Sequence, residues 1–123
     1  MRFKHDSLMK VKKVLMTRVS YIINLQIRNG EKAVDLATKY KINPSTISEL
    51  KLQKIDKMSL DRLITCVDKM GLEYSIGIAN SNGYKTIDVS LPKYDNDPVI
   101  RQIDMTRHRH KHESSKNVTT RAV

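Results

Sequence analysis

At 123 residues the chain is long enough for one domain around a single core and too short for two independent ones. Its residues are 39% hydrophobic and 29% charged, which fits a globular domain with polar extensions, and Lys and Arg interrupt every run before the roughly 20 apolar residues of a membrane span. A net charge of +10 points to a polyanionic partner, nucleic acid before an anionic membrane surface, and the single cysteine, Cys66, excludes an internal disulfide and suits a reducing, cytoplasmic setting.

The charge is unevenly spread. Residues 1–30 carry seven Lys/Arg against one acid, residues 31–91 nine against eight, and residues 92–123 seven against four. The excess therefore lies on the flanks. Near the N-terminus, Lys10, Lys12 and Lys13 break any secretory apolar region, so no export is expected.

From Ser7 to Arg28 the apolar residues Leu8, Val11, Leu15, Val19, Ile22 and Ile23 recur at helical spacing, with Lys10, Lys13 and Arg18 expected on the opposite face. Asn29-Gly30 supplies the stop. A short second helix, Glu31 to Tyr40, has the stripe Ala33, Leu36, Ala37 and Tyr40. Asn43 is a good N-cap and Pro44 suits the first helical position, so a third helix starts there and buries Ile47 and Leu50. Ser59 caps a fourth helix with the stripe Leu60, Leu63, Ile64, Val67 and Met70, and Gly71-Leu72 is a Schellman-type stop. The period then drops to two. Leu72, Tyr74, Ile76 and Ile78, followed after Asn80-Ser81-Asn82-Gly83 by Ile87, Val89 and Leu91, predict a β-hairpin, whose apolar face must pack on the helices or pair with another chain. Pro92 to Pro98 reads as a linker, Val99, Ile100 and Ile103 as a short helical stretch, and the rest as a flexible basic tail.

The expected architecture is mainly α: a four-helix domain with a C-terminal β-hairpin at 72–91, together spanning 1–91, then a linker and basic tail at 92–123. Two crossing helices joined by a tight turn need a small residue at the crossing, an apolar residue in the turn and apolar residues on the inner side of the second helix. Ala37, Ile42, Ile47 and Leu50 meet those needs at steps of five, five and three. This is the spacing of a helix-turn-helix.

The stretches AVDLATKYKINPSTISEL and SLDRLITCVDKMGLEYSI resemble the Xre/Cro type of helix-turn-helix regulator, and within it small antitoxin-like variants in which a helix and a strand follow the motif. With the first helix the likeness covers about residues 10 to 80. It implies a DNA-binding transcriptional regulator, a repressor by expectation, working on the nucleoid without enzymatic activity or a cofactor. The chain departs from the pattern at two positions. Lys41 stands where the family usually has Gly, and Ala33 where it often has a Gln that touches phosphate.

With the third helix entering the major groove N-terminus first, the expected base contacts are Ser45, Thr46, Ser48 and Glu49. Asn43, Lys39, Lys41, Lys51 and Lys54 are the expected backbone and phosphate contacts. Glu49 serves equally as an acceptor for cytosine or as a partner for a neighbouring lysine. His108, His110 and His112 would share one face of an extended chain, but no Cys or carboxylate completes a metal spacing, so no metal is expected. Cys66 reads as buried and inert, and no nucleophile with a base appears.

Two readings follow. In the first, a homodimer built through the hairpin, or through the strand at Leu72 to Ile78, binds double-stranded DNA at a pseudo-palindromic operator. In the second, residues 92–123 grip a protein, either a toxin or the transcription machinery, through Val99, Ile100, Ile103 and Met105. Single-stranded RNA is disfavoured for want of aromatics grouped for stacking.

Overall fold

The computed structural model describes residues 5–103. It contains helices α1 (His5–Arg28), α2 (Ala33–Tyr40), α3 (Pro44–Lys51) and α4 (Leu60–Lys69), then strands β1 (Ser75–Ser81) and β2 (Tyr84–Ser90). Single 3-10 turns occupy Ile55–Lys57 and Tyr94–Asn96, and a last helix, α5, runs over 98–103.

The frame of the domain is α1, about 36 Å long at 1.5 Å per residue. Val11, Leu15, Val19, Ile22 and Ile23 are buried as their spacing predicts, but so are Met16, Leu25 and Gln26. The buried face is wide because α3, α4 and β2 all pack on this one helix. It ends where Gly30 takes φ +98°, with Glu31 N–H donating to the Gln26 carbonyl at 3.1 Å and Gly30 N–H to Ile27 at 3.0 Å. Such reciprocal bonds satisfy carbonyls that a helix end leaves orphaned.

The same logic closes α4. Ser59 caps its start by accepting from Arg62 N–H at 3.3 Å, and Leu72 N–H returns to the Val67 carbonyl at 3.2 Å while the Leu72 side chain is buried. Because Leu72 completes this stop, the strand ladder begins at Ser75, three residues later than the alternation alone suggests. Asn82 and Gly83, at φ 51° and 79°, form the two-residue turn favoured by twisted hairpins. The sheet has only these two antiparallel strands, and Ile87 buries its side chain against α1.

Residues 92–103 differ from the expected linker. Asp97 is 0% exposed and Arg18, expected on the solvent face of α1, is 6% exposed. Arg18 donates to the Asp97 carboxylate at 2.5 Å and to the Pro92 carbonyl at 2.7 Å, and its guanidinium lies 4.3 Å from the centre of the Tyr94 ring. The other Asp97 oxygen accepts from Val99 N–H at 3.0 Å and from Ile100 N–H at 3.4 Å, which starts α5. Ile100 and Ile103 are buried in the main core. They are thus occupied within the domain rather than offered to a partner. Met105 and the three tail histidines, His108, His110 and His112, lie outside the described residues. No helix among the described residues is long and apolar enough to cross a membrane.

Candidate nucleic-acid interface

The α2–α3 corner is built from its core outward. Ala37, Ile42, Ile47 and Leu50 are all buried, so the four positions picked out by spacing do form the inner surface of two crossing helices. Ala33 is exposed at the start of α2 rather than part of its buried stripe. Lys41 takes φ 57°, the left-handed conformation that glycine adopts more cheaply. Ile42 N–H donates to the Ala37 carbonyl at 2.9 Å, and Lys69 Nζ donates to the Lys41 carbonyl at 3.0 Å, so α4 braces the turn.

Both ends of α3 are fixed. At its start the Asn43 side-chain oxygen accepts from Ser45 N–H at 3.0 Å and from the Ser45 hydroxyl at 2.8 Å. Ser45 has thereby used its proton and presents its oxygen to solvent as an acceptor. At its end the Lys51 carbonyl accepts from Ser20 Oγ at 3.1 Å, alongside Asn24 Nδ2 at 3.5 Å. The tilt of α3 on α1 is therefore set by side chains as well as by packing.

Of the four expected base contacts, Ser45 and Ser48 are exposed together on the outer face. Thr46 is not. It is 7% exposed and its hydroxyl accepts from Arg62 at 3.1 Å, so it faces α4. The reason is angular: Ile47 and Leu50 fix the inward direction of this short helix, and Thr46, about 100° from Ile47, falls on the flank that α4 covers. Glu49 is half-buried, with one carboxylate oxygen shielded from solvent and without a hydrogen-bond partner. No lysine among the described residues lies within ion-pair distance of it.

The flanking cations are arranged unequally. Lys41, Lys51 and Lys54 are exposed around α3. Lys39, also exposed, is drawn back toward Glu31 at 3.8 Å and toward the Tyr40 ring at 5.4 Å. Arg62, on α4, has no counterpart in the sequence reading, although it lies in the SLDRL segment. Its guanidinium donates to the Lys57 carbonyl at 3.2 Å and to Thr46, beside the start of α3. With Lys69, Asn43, Thr65 and Cys66 it lines a shallow depression of about 210 Å³.

Two buried groups behind this surface are held neutral. Burial pushes the Cys66 thiol up, against the opposing pull of Arg62 and Lys69. Burial likewise raises Tyr40, whose hydroxyl donates to Gln26 Oε1 at 3.0 Å behind the α2–α3 corner. Tyr21, on α1, and Tyr94 meet with their ring centres 4.7 Å apart.

A family model described as "Helix-turn-helix domain" matches residues 2–79. The chain belongs to this helix-turn-helix family. The match spans all of α1 to α4 and most of β1, so the family unit includes the frame and the brace as well as the two crossing helices. Membership in a helix-turn-helix family points to a DNA-binding regulator. No curated protein and no solved structure matches the chain significantly.

Proposed function

We propose that the chain is a transcriptional repressor of the Xre/Cro, antitoxin-like kind, which lays α3 in the major groove of double-stranded DNA and works by binding alone, in the cytoplasm on the nucleoid. The observation that carries this reading is the start of α3. Asn43, Ser45 and Ser48 share its outward surface, the helix is pinned at both ends, and Lys41, Lys51 and Lys54 stand around it. The positive end of the helix dipole favours an approaching phosphate.

On this reading Ser45 and Ser48 touch base edges, with Ser45 accepting from an amino group of cytosine or adenine. Lys41, Lys51, Lys54 and Arg62 neutralise phosphates, Lys39 to a lesser degree because Glu31 competes for it. No Arg reaches guanine from α3, so discrimination per base is modest and much of the affinity is electrostatic. The test is selection of bound fragments from a random duplex pool by the full chain. Enrichment of a defined motif is expected, lost in a Ser45→Ala/Ser48→Ala variant that still binds bulk DNA. Absence of any enrichment overturns sequence-specific reading.

A further inference from the structure

The hairpin has one guarded edge and one open edge. On β2 the backbone N–H of Ile87 points away from β1 and donates to Ser7 Oγ of α1 at 3.3 Å. That bond fixes the parity of the ladder. Ile87 is opposite Ile78, so Ile78 also directs its N–H and carbonyl away from its partner strand, and with it, at alternate positions, Ile76 and Asn80. Among the described residues no other backbone group pairs with these three.

Free strand edges are normally protected by lysine, proline, a bulge or a covering element. Among the described residues none of these protects β1, whose sequence is SIGIANS. Residues 74–84 contain no charged side chain at all, in a chain of net charge +10. Two copies of so basic a protein carry like net charge, and this uncharged run lets them approach without setting like charges against each other. One side chain on the strand also lacks a cover. Ile76, Ile87 and Val89 pack against the core, yet Ile78, on the same face, is 60% exposed.

We propose that the open edge of β1 pairs antiparallel with β1 of a second copy, with the two-fold axis at Ile78. This register overlaps all seven residues of the strand, since Ile78 is its central residue. It places Ile78 opposite Ile78 of the second copy and Ile76 opposite its Asn80, with each of these pairs exchanging two hydrogen bonds. The result is a continuous four-stranded sheet in which the two exposed isoleucines cover each other. The pairing stands independently of DNA binding and is measured without DNA.

The experiment uses the full chain in analytical ultracentrifugation over a wide concentration range, with two variants. Ile78→Lys puts a charge at the centre of the seam while altering a side chain that the monomer leaves exposed, and it should weaken self-association at least tenfold with an unchanged far-UV circular dichroism spectrum. Ile78→Cys should cross-link into a dimer on mild oxidation, because the opposed Cα atoms of such a pair are about 5.5 Å apart, within disulfide reach. Ile76→Cys should not, since its two copies would be about 13 Å apart along the strands. A chain that remains monomeric up to its solubility limit overturns the proposal. So does a dimer that Ile78→Lys leaves intact and Ile78→Cys fails to cross-link.

Discussion

Replacing Asp97 tests whether residues 92–103 are integral to the domain. Asp97→Asn keeps an oxygen for the amide groups of Val99 and Ile100 but removes the charge opposite Arg18, which is buried and has its Nε without any hydrogen-bond partner. Removing one member of a buried pair strands the other charge in a poorly solvating site, a cost of about 3–5 kcal/mol. Asp97→Ala loses the helix cap as well, adding about 1 kcal/mol. Against a total stability of about 5–15 kcal/mol for a domain of this kind, either change is large. Urea unfolding followed by circular dichroism measures both. The double variant Arg18→Met/Asp97→Ala should recover part of the loss, because no unpaired charge remains and Met can fill the space over Tyr94. The reasoning fails if Asp97→Asn lies within about 1 kcal/mol of the parent chain, since a well-solvated pair at the surface would behave in that way.

Three further outcomes concern the reading surface. Thr46→Val should leave DNA affinity within about twofold and lower stability by about 0.5–1.5 kcal/mol, the usual worth of one hydrogen bond, as seen by filter binding and urea unfolding. Lys41→Gly should separate stability from affinity: relief of a left-handed lysine, worth about 1–2 kcal/mol and partly offset by the flexibility of glycine, should raise or preserve the unfolding midpoint, while the slope of log affinity against log salt falls by about one. Cys66, with its thiol raised by burial, should be alkylated at least tenfold more slowly in the folded chain than in urea at pH 8. Its folded-state shift upward means that the contribution to stability is full below the ordinary thiol value and is lost as pH rises through the raised one.

Much of the helical scaffold was legible because it depends on apolar residues close in sequence. The steps from Ala37 to Ile42, Ile47 and Leu50 mark a corner whose members are all buried, and Gly30 and Gly71 end their helices as their positions predict. The errors occur where polar groups find partners far along the chain. Arg18 reads as a surface residue because its partner Asp97 is 79 positions away, in a segment whose Pro and Asp content resembles a linker. Thr46 reads as outward because a hydroxyl at the margin of an apolar stripe carries no periodic signal, and the donor that turns it inward, Arg62, lies 16 residues on. A hydrogen bond between distant side chains leaves no imprint on local spacing, so neither the docking of α5 nor the role of Arg62 followed from pattern alone.

Three of the polar attachments to α1 bear on how a two-fold assembly would present its reading helices. Ser7 holds β2, Arg18 holds residues 92–103, and Ser20 with Asn24 holds the end of α3. Ser7 and Ser20 are separated by about 20 Å of uninterrupted helix, at 1.5 Å per residue. With β1 as the seam, the path from the two-fold axis to α3 therefore runs across one hairpin and along one stiff rod, with no flexible linker between them. Half-site spacing on an operator, about 34 Å for successive major-groove faces, would be set by this rod rather than adjusted on binding. A rigid dimer of this kind gains discrimination from spacing, which offsets the modest base readout available to a helix that presents two serines and no arginine.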